Sequence, residues 1–224
     1  MRKKLLSFFI VITCLLFVLL LSTLTITNLK FIYNHSIDNF QLVKRGGISK
    51  DEIIRNYSYI TDYILSKNKS DKFELPTLKY SEDGAIHFYE VRQLFNLAKG
   101  ASATLFITLV LLMRIYYKKF KDLKPLKFSG LTLIFMPLIV ALIVSINFKF
   151  FFTIFHKIFF NNDKWLFNPI TDPIINLLPE EFFALCGTLI ILLTVVSGVV
   201  LLLGYITWSA RRVRESYITL TSDK

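Results

Sequence analysis

Cysteine is scarce in this chain, with two in 224 residues, and histidine is hardly commoner, with three. Cys14 and Cys186 both fall in long apolar runs, which argues against an exposed disulfide framework. No CxxC, HExxH or His-rich pattern occurs, and neither does a GxSxG elbow or a glycine-rich phosphate loop. The signatures of zinc proteases, serine hydrolases and P-loop proteins are therefore missing. Charge is nearly absent from four long stretches.

Those stretches account for the composition. The chain is 54% hydrophobic with a mean hydropathy of +0.52. That is too apolar for an ordinary soluble domain. A helix crosses the hydrocarbon core of a bilayer in roughly 20 apolar residues. Four segments meet that length: 5–26, 97–117, 131–148 and 182–208. The first is read as a retained helix, because its apolar run is too long for a signal peptide and lacks a small-residue cleavage site. Pro137 inside the third predicts a kink.

The positive charge is distributed by segment. Lysine and arginine exceed aspartate and glutamate by 27 to 16, a net +11. Residues 1–4 carry Arg2, Lys3 and Lys4. Residues 118–130 carry Lys118, Lys119, Lys121, Lys124 and Lys127. Residues 209–224 carry Arg211, Arg212 and Arg214. All three pieces fall on one side of a four-helix path. The segment 27–96 is nearly balanced, with ten basic and nine acidic residues between Lys30 and Arg92, and 149–181 is balanced as well. The excess predicts that both termini and 118–130 are cytoplasmic, with 27–96 and 149–181 outside. It also argues against nucleic acid as a partner, because the clusters are explained by topology and anionic lipid.

The predicted architecture is a mainly α integral membrane protein: four transmembrane helices with an extracytoplasmic cap of helices plus short strands. Within 27–96, "SKDEIIRNYSYITDYILS" predicts an amphipathic helix. Ser49 and Glu52 have capping-box spacing, and Ile53, Tyr57, Ile60 and Ile64 form one apolar face. "KFELPTLKYSEDGAIHF" contains Pro76 and a turn-like "SEDG", and predicts short strands or extended pieces. Helix is expected from about His87 onward, with His87, Glu90, Val91 and Leu94 on one face. The segment 149–181 opens with a run of phenylalanines, most of which are read as an aromatic belt, with a lining around a lipid acyl chain as an added reading.

Of the histidines, His35 lies in a polar setting, "YNHSID", and is read as inert. His87 and His156 each sit just outside a predicted span, on the same side, among aromatics and near acids. Imidazole exchanges protons near neutrality, so two at one depth suit shared acid–base work. Cys186 is the alternative nucleophile, but a membrane cysteine is more often an inert small hydrophobe.

"HFYEV" before the second span and "FHKIFFNNDKWLFNPITDPIINLLPEEFF" between the third and fourth resemble the lipoprotein intramolecular transacylase family, Lit. So does the four-span layout with a large first external loop. The resemblance covers essentially the whole chain. Glu90 departs from the aspartate expected there in many members. The family moves the sn-2 acyl chain of a diacylglyceryl lipoprotein to the α-amine of its own N-terminal cysteine, on the outer side of the bacterial cell membrane. The resemblance implies that His87 and His156 are the catalytic pair. Donor and acceptor share one molecule, so no acyl-enzyme is required. One imidazole would act as base and the other would stabilise the oxyanion. The sequence leaves the roles open, with His87 preferred as base. Asp163 and Asp172 are expected to orient a histidine or bind the ammonium. Trp165 is expected to wall the pocket. Glu90, Tyr89, Arg92 and Phe155 are supporting candidates. No cofactor or metal is expected, and the implied partners are the lipoprotein substrate and lipids, with the chain a monomer. The rival readings are a non-enzymatic accessory protein with an external cap, a small transporter, and a metal-dependent hydrolase.

Overall fold

A computed structural model describes residues 2–67 and 72–222. Residues 68–71 of the first expected loop and 223–224 of the expected tail lie outside the description. The regular elements are α1 (Arg2–Asn28), α2 (Lys30–Asn39), α3 (Leu42–Gly46), α4 (Lys50–Ile64), α5 (Glu82–Phe120), α6 (Lys124–Ile146), α7 (Phe148–Phe159), a 3-10 turn (Pro173–Leu177) and α8 (Glu180–Ser222). Four of these, α1, α5, α6 and α8, are long and apolar enough to cross a membrane. Pro137 is buried inside α6, which continues past it.

The chain forms two compact units. The first comprises Met1–Ser22, Ala101–Ala141 and Ile191–Lys224. Its core is Cys14, Leu15, Val18 and Leu133, while Leu111, Phe135, Ile139 and Val200 are exposed. Apolar side chains turned outward are what lipid-facing helices require. Small residues let α6 and α8 meet. A methyl group at Gly130 would fall 2.8 Å from the Gly198 carbonyl oxygen, and one at Gly198 would fall 2.8 Å from the Gly130 oxygen. Contacts this close suit membrane helices, whose packing depends on shape.

The second unit comprises Thr23–Gly100 and Leu142–Ile190. Its best-predicted element is α4. Ser49 accepts the Glu52 backbone N–H, and Glu52 reaches back to Ser49 N, so both halves of the capping box form. Ile53, Tyr57, Ile60 and Ile64 are all buried. Tyr57 stacks on Tyr33 of α2 at 3.6 Å between ring centres, and Phe182 of α8 meets both rings edge-on. The Tyr33 hydroxyl donates to the Leu177 carbonyl at 2.9 Å.

Two local expectations are corrected, and one stretch gains a secondary structure that the sequence reading had not assigned. The short strands do not form: among the described residues there is no strand. Residues 72–80 run irregularly over α4, whose side chains satisfy their backbone. Tyr59 Oη accepts the Glu74 N–H at 2.7 Å, and Asn56 Oδ1 accepts the Thr77 N–H at 3.3 Å. Phe73 and Leu75 bury themselves there without a neighbouring strand. The "SEDG" stretch is a helix start, so α5 begins at Glu82, five residues before His87. Ser81 Oγ accepts the Gly84 N–H at 3.0 Å, and Glu82 and Asp83 favour the positive end of the helix. Finally, the phenylalanine run forms a helix of its own, α7. Asn147 caps it by accepting the Phe150 N–H at 3.0 Å, and Phe148, Phe152, Phe155 and Phe159 recur at helical spacing.

Candidate active site

His87 and His156 come together within the second unit. His87 sits in the second turn of α5, ten residues before the apolar run 97–117. His156 sits in the last turn of α7. Their ring centroids are 6.1 Å apart with planes inclined at 34°. Phe160, directly after α7, lies against both, at 4.7 Å from His87 and 5.8 Å from His156. Phe167 closes on His87 edge-first at 5.4 Å. Trp165 stacks on His156 at 4.7 Å, and Phe152 lies at 4.2 Å from the same ring.

The two rings are held differently. His156 Nδ1 is 2.7 Å from the Phe152 carbonyl oxygen. A carbonyl can only accept, so Nδ1 carries the hydrogen and Nε2 keeps its lone pair. His156 is half-buried, and burial lowers its pKa while the bond to Phe152 opposes that shift. His87 is 7% exposed, and its Nδ1 is buried with no partner among the described residues. Burial, aided by the nearby His156, lowers its pKa to about 4. Burial thus favours the neutral form of both imidazoles, most strongly for His87.

The acids are arranged otherwise than expected. Asp172 is buried, but its Oδ1 accepts the backbone N–H of Ser81 at 2.8 Å and its Oδ2 accepts the Thr171 hydroxyl. It fastens the start of α5, the helix that carries His87, from 91 residues away. Gly84 makes room for it: a methyl there would collide with Asp172 Oδ1. Asp163 is exposed, and its carboxylate has no hydrogen-bond or ion-pair partner among the described residues. The acid nearest His87 in sequence, Glu90, accepts through Oε1 from Asn162 Nδ2 at 2.8 Å. Its Oε2 is buried without a partner among the described residues.

Asn162 is the residue that sequence reasoning missed. Its side-chain nitrogen holds Glu90, its side-chain oxygen accepts the Lys164 N–H at 3.0 Å, and its carbonyl accepts from Trp165 Nε1 at 3.1 Å. It joins the loop bearing Trp165 to α5. The turn-like "NND" was the available signal. Lys164 also pairs with Asp83 in the first turn of α5. Phe155 is exposed and meets His156 edge-on at 5.5 Å. Tyr89 points to the exterior, 47% exposed. Arg92 is buried against the Tyr63 ring and donates to Ser66 Oγ at 3.2 Å. His35 is exposed on α2. Among the described residues no three His, Cys, Asp or Glu side chains converge as a metal site would require.

A sequence profile described as lipoprotein intramolecular transacylase Lit matches residues 8–183. The chain belongs to the Lit family. It is a multi-pass membrane protein and an enzyme of the transacylase class. Among solved structures, the membrane-integral lipoprotein intramolecular transacylase Lit of Bacillus cereus is 30% identical, with a TM-score of 0.85. The match covers 96% of this chain and 98% of that one. A variant of the Bacillus cereus Lit with one histidine changed to arginine matches at 30% identity and TM-score 0.83, over 96% of this chain and 95% of that one. Another, with a histidine changed to alanine, matches at 29% and 0.83, over 94% and 95%. Curated protein sequences contain no match.

Proposed function

We propose that this Lit-family enzyme moves the sn-2 acyl chain of a diacylglyceryl lipoprotein to the α-amine of that lipoprotein's own N-terminal cysteine, using His156 as base and His87 as the oxyanion partner. The product is a lyso-form lipoprotein with an N-acyl group. The site faces the extracytoplasmic side, with both termini in the cytoplasm. The observation that carries the reading is the meeting of two imidazoles, 6.1 Å apart, inside one aromatic enclosure.

The assignment of roles reverses the preference drawn from sequence. His156 has its Nε2 lone pair free because the Phe152 carbonyl holds the hydrogen on Nδ1. It takes the proton released as the neutral amine attacks the ester carbonyl. His87, with a pKa near 4, is a poor base. As a neutral imidazole it donates its ring N–H to the oxyanion, whose charge develops only as the bond forms. The C–O bond to glycerol then breaks, and the proton taken by His156 is delivered to the departing oxygen. One N–H is exchanged for one O–H, and an ester becomes an amide. No enzyme-bound acyl group appears. Glu90 Oε2 supplies the acceptor that positions the attacking amine.

The reaction requires a flexible headgroup to adopt a cyclic arrangement. Good intramolecular alignment contributes on the order of 7–11 kcal/mol to such reactions. Phe160, Phe167, Phe152 and Trp165 form rigid walls that hold this arrangement and exclude the water that would hydrolyse the ester. The deciding measurement is mass spectrometry of the N-terminal peptide of a reporter lipoprotein treated with wild type, His87→Ala and His156→Ala. Wild type should yield an acylated amine and a lysoglyceryl thioether, and neither variant should. A diacylglyceryl peptide left unchanged by wild type would remove the assignment.

A further inference from the structure

Away from the histidines, the first unit contains a cavity of about 520 Å³ formed by α1, α5 and α6. We propose that it binds one anionic phospholipid, with the phosphodiester on Lys4 and Lys124 and the upper acyl chain against Phe8, Val11 and Phe128.

The cavity is graded in polarity along its wall. On α1 the order is Lys4, Phe8 and Val11, at steps of four and three, which stack on one helical face. On α6, Lys124 stands at the first position and Phe128 one turn further in. Both helices therefore present an ammonium at the end and an aromatic ring one turn inward. A glycerophospholipid has the same sequence of groups, charged at the surface and apolar below. Phe8 and Phe128 are 59% and 50% exposed, so their rings are available to a chain.

Charge is unbalanced at the mouth. Lys3, Lys4 and Lys124 line it, no acid among the described residues does, and Asp122 is the carboxylate bonded to Lys3 and to the Lys124 backbone. Asp122 is already occupied: its Oδ2 pairs with Lys3 at 3.0 Å and its Oδ1 accepts the Lys124 backbone N–H at 2.8 Å. Lys4 has no ion-pair partner among the described residues, and Lys124 feels Asp122 without pairing to it directly, so three lysines against one carboxylate leave an excess of two positive charges at the opening. Basic openings between membrane helices are suited to anionic headgroups. A zwitterionic lipid brings its own cation and lacks that complement.

The test is native mass spectrometry of the full chain in neutral detergent, titrated with phosphatidylglycerol or phosphatidylcholine of matched chains. Glycerophosphate and a chain-matched neutral diacylglycerol serve as soluble and uncharged controls. One phosphatidylglycerol should remain bound, and the Lys4→Gln/Lys124→Gln variant should hold it about tenfold or more weakly. Phe128→Ser should weaken it as well. Acyl transfer in detergent by the lysine variant should match wild type, which shows that it is folded. Equal retention of phosphatidylcholine or diacylglycerol, displacement by glycerophosphate alone, or undiminished binding in the lysine variant would each overturn the proposal.

Discussion

His87 and His156 share Phe160: its ring lies 4.7 Å from one imidazole and 5.8 Å from the other, while the imidazoles are 6.1 Å apart. One small polar headgroup could touch both rings. The two rings differ in the group each offers, and this asymmetry distinguishes their substitutions. Glutamine keeps an N–H donor but is no base. His87→Gln should therefore retain acyl transfer to within about tenfold, while His87→Ala loses about 10²–10³-fold. His156→Gln and His156→Ala should both lose about 10²–10⁴-fold. Single-turnover rates on a diacylated lipopeptide measure this. A His156→Gln enzyme more active than His87→Gln would exchange the two roles.

The pH dependence follows from neutral rings. Burial lowers both histidine pKa values below the usual 6.5, which favours the neutral form of each ring between pH 7 and 8. The substrate amine, with an ordinary pKa of about 7.7–8.0, must be neutral to attack. The ratio kcat/KM should rise with unit slope to about pH 8 and then level. A fall beginning near pH 7 would mean that an imidazolium is required, contrary to the neutral-donor role of His87.

Stability should depend on His87 as well. Its pKa is about 4 in the folded chain against an ordinary 6.5, so between those values the unfolded chain binds more protons. Folding stability is then fully present above pH 6.5, declines as pH falls, and levels below about 4. The loss amounts to at most roughly 3 kcal/mol for this group. His87→Phe should flatten the decline in detergent-solubilised protein. Thermal unfolding between pH 4 and 7 provides the measurement, and an unchanged slope in the variant would exclude His87 as its source.

Asp172 and Gly84 should act as one unit. Asp172→Ala removes the acceptor for the Ser81 N–H and should destabilise the fold by about 1–3 kcal/mol. Gly84→Ala drives a methyl into the same carboxylate and should cost a similar amount. The double variant should be no worse than about the larger single loss, because the carboxylate is no longer there to collide. Full additivity would separate the two residues.

How much of this was visible beforehand depended on range. The four long helices were legible because each carries its own apolar run, and α4 because Ser49, Glu52 and its buried face lie within one segment. Helix α7 was legible in principle: Asn147 and the four- and three-residue spacing of its phenylalanines signalled it, but the aromatic run was read for its place at the membrane surface and assigned no secondary structure. The pairing of His87 with His156 was suggested by shared topology and by family motifs. The position of Asp172 was not accessible in that way. Its partner Ser81 is 91 residues distant, and nothing local to either residue indicates the other. Asn162 escaped notice for the same reason, since its importance lies in reaching Glu90 from 72 residues away.

Glu90 and Asn162 give a final test of the site. Asn162→Ala leaves Glu90 Oε1 without its donor and frees the Trp165 loop. It should reduce kcat about tenfold or more. Glu90→Gln keeps the shape and removes the charge; if Oε2 positions the amine, KM should rise while thermal stability changes little. A pure stability loss in Glu90→Gln with unaltered kinetics would make the residue structural only.

The glycines of the long helices serve different ends. Gly130 and Gly198 are pressed backbone to backbone, whereas a methyl group at Gly100, Gly187 or Gly204 would meet nothing within 4 Å. Those three open positions can therefore carry cysteine-linked spectroscopic labels once Cys14 and Cys186 are replaced. Pairs of such labels on α5 and α8 would give direct distance measurements during lipopeptide turnover without disturbing the packing they report on.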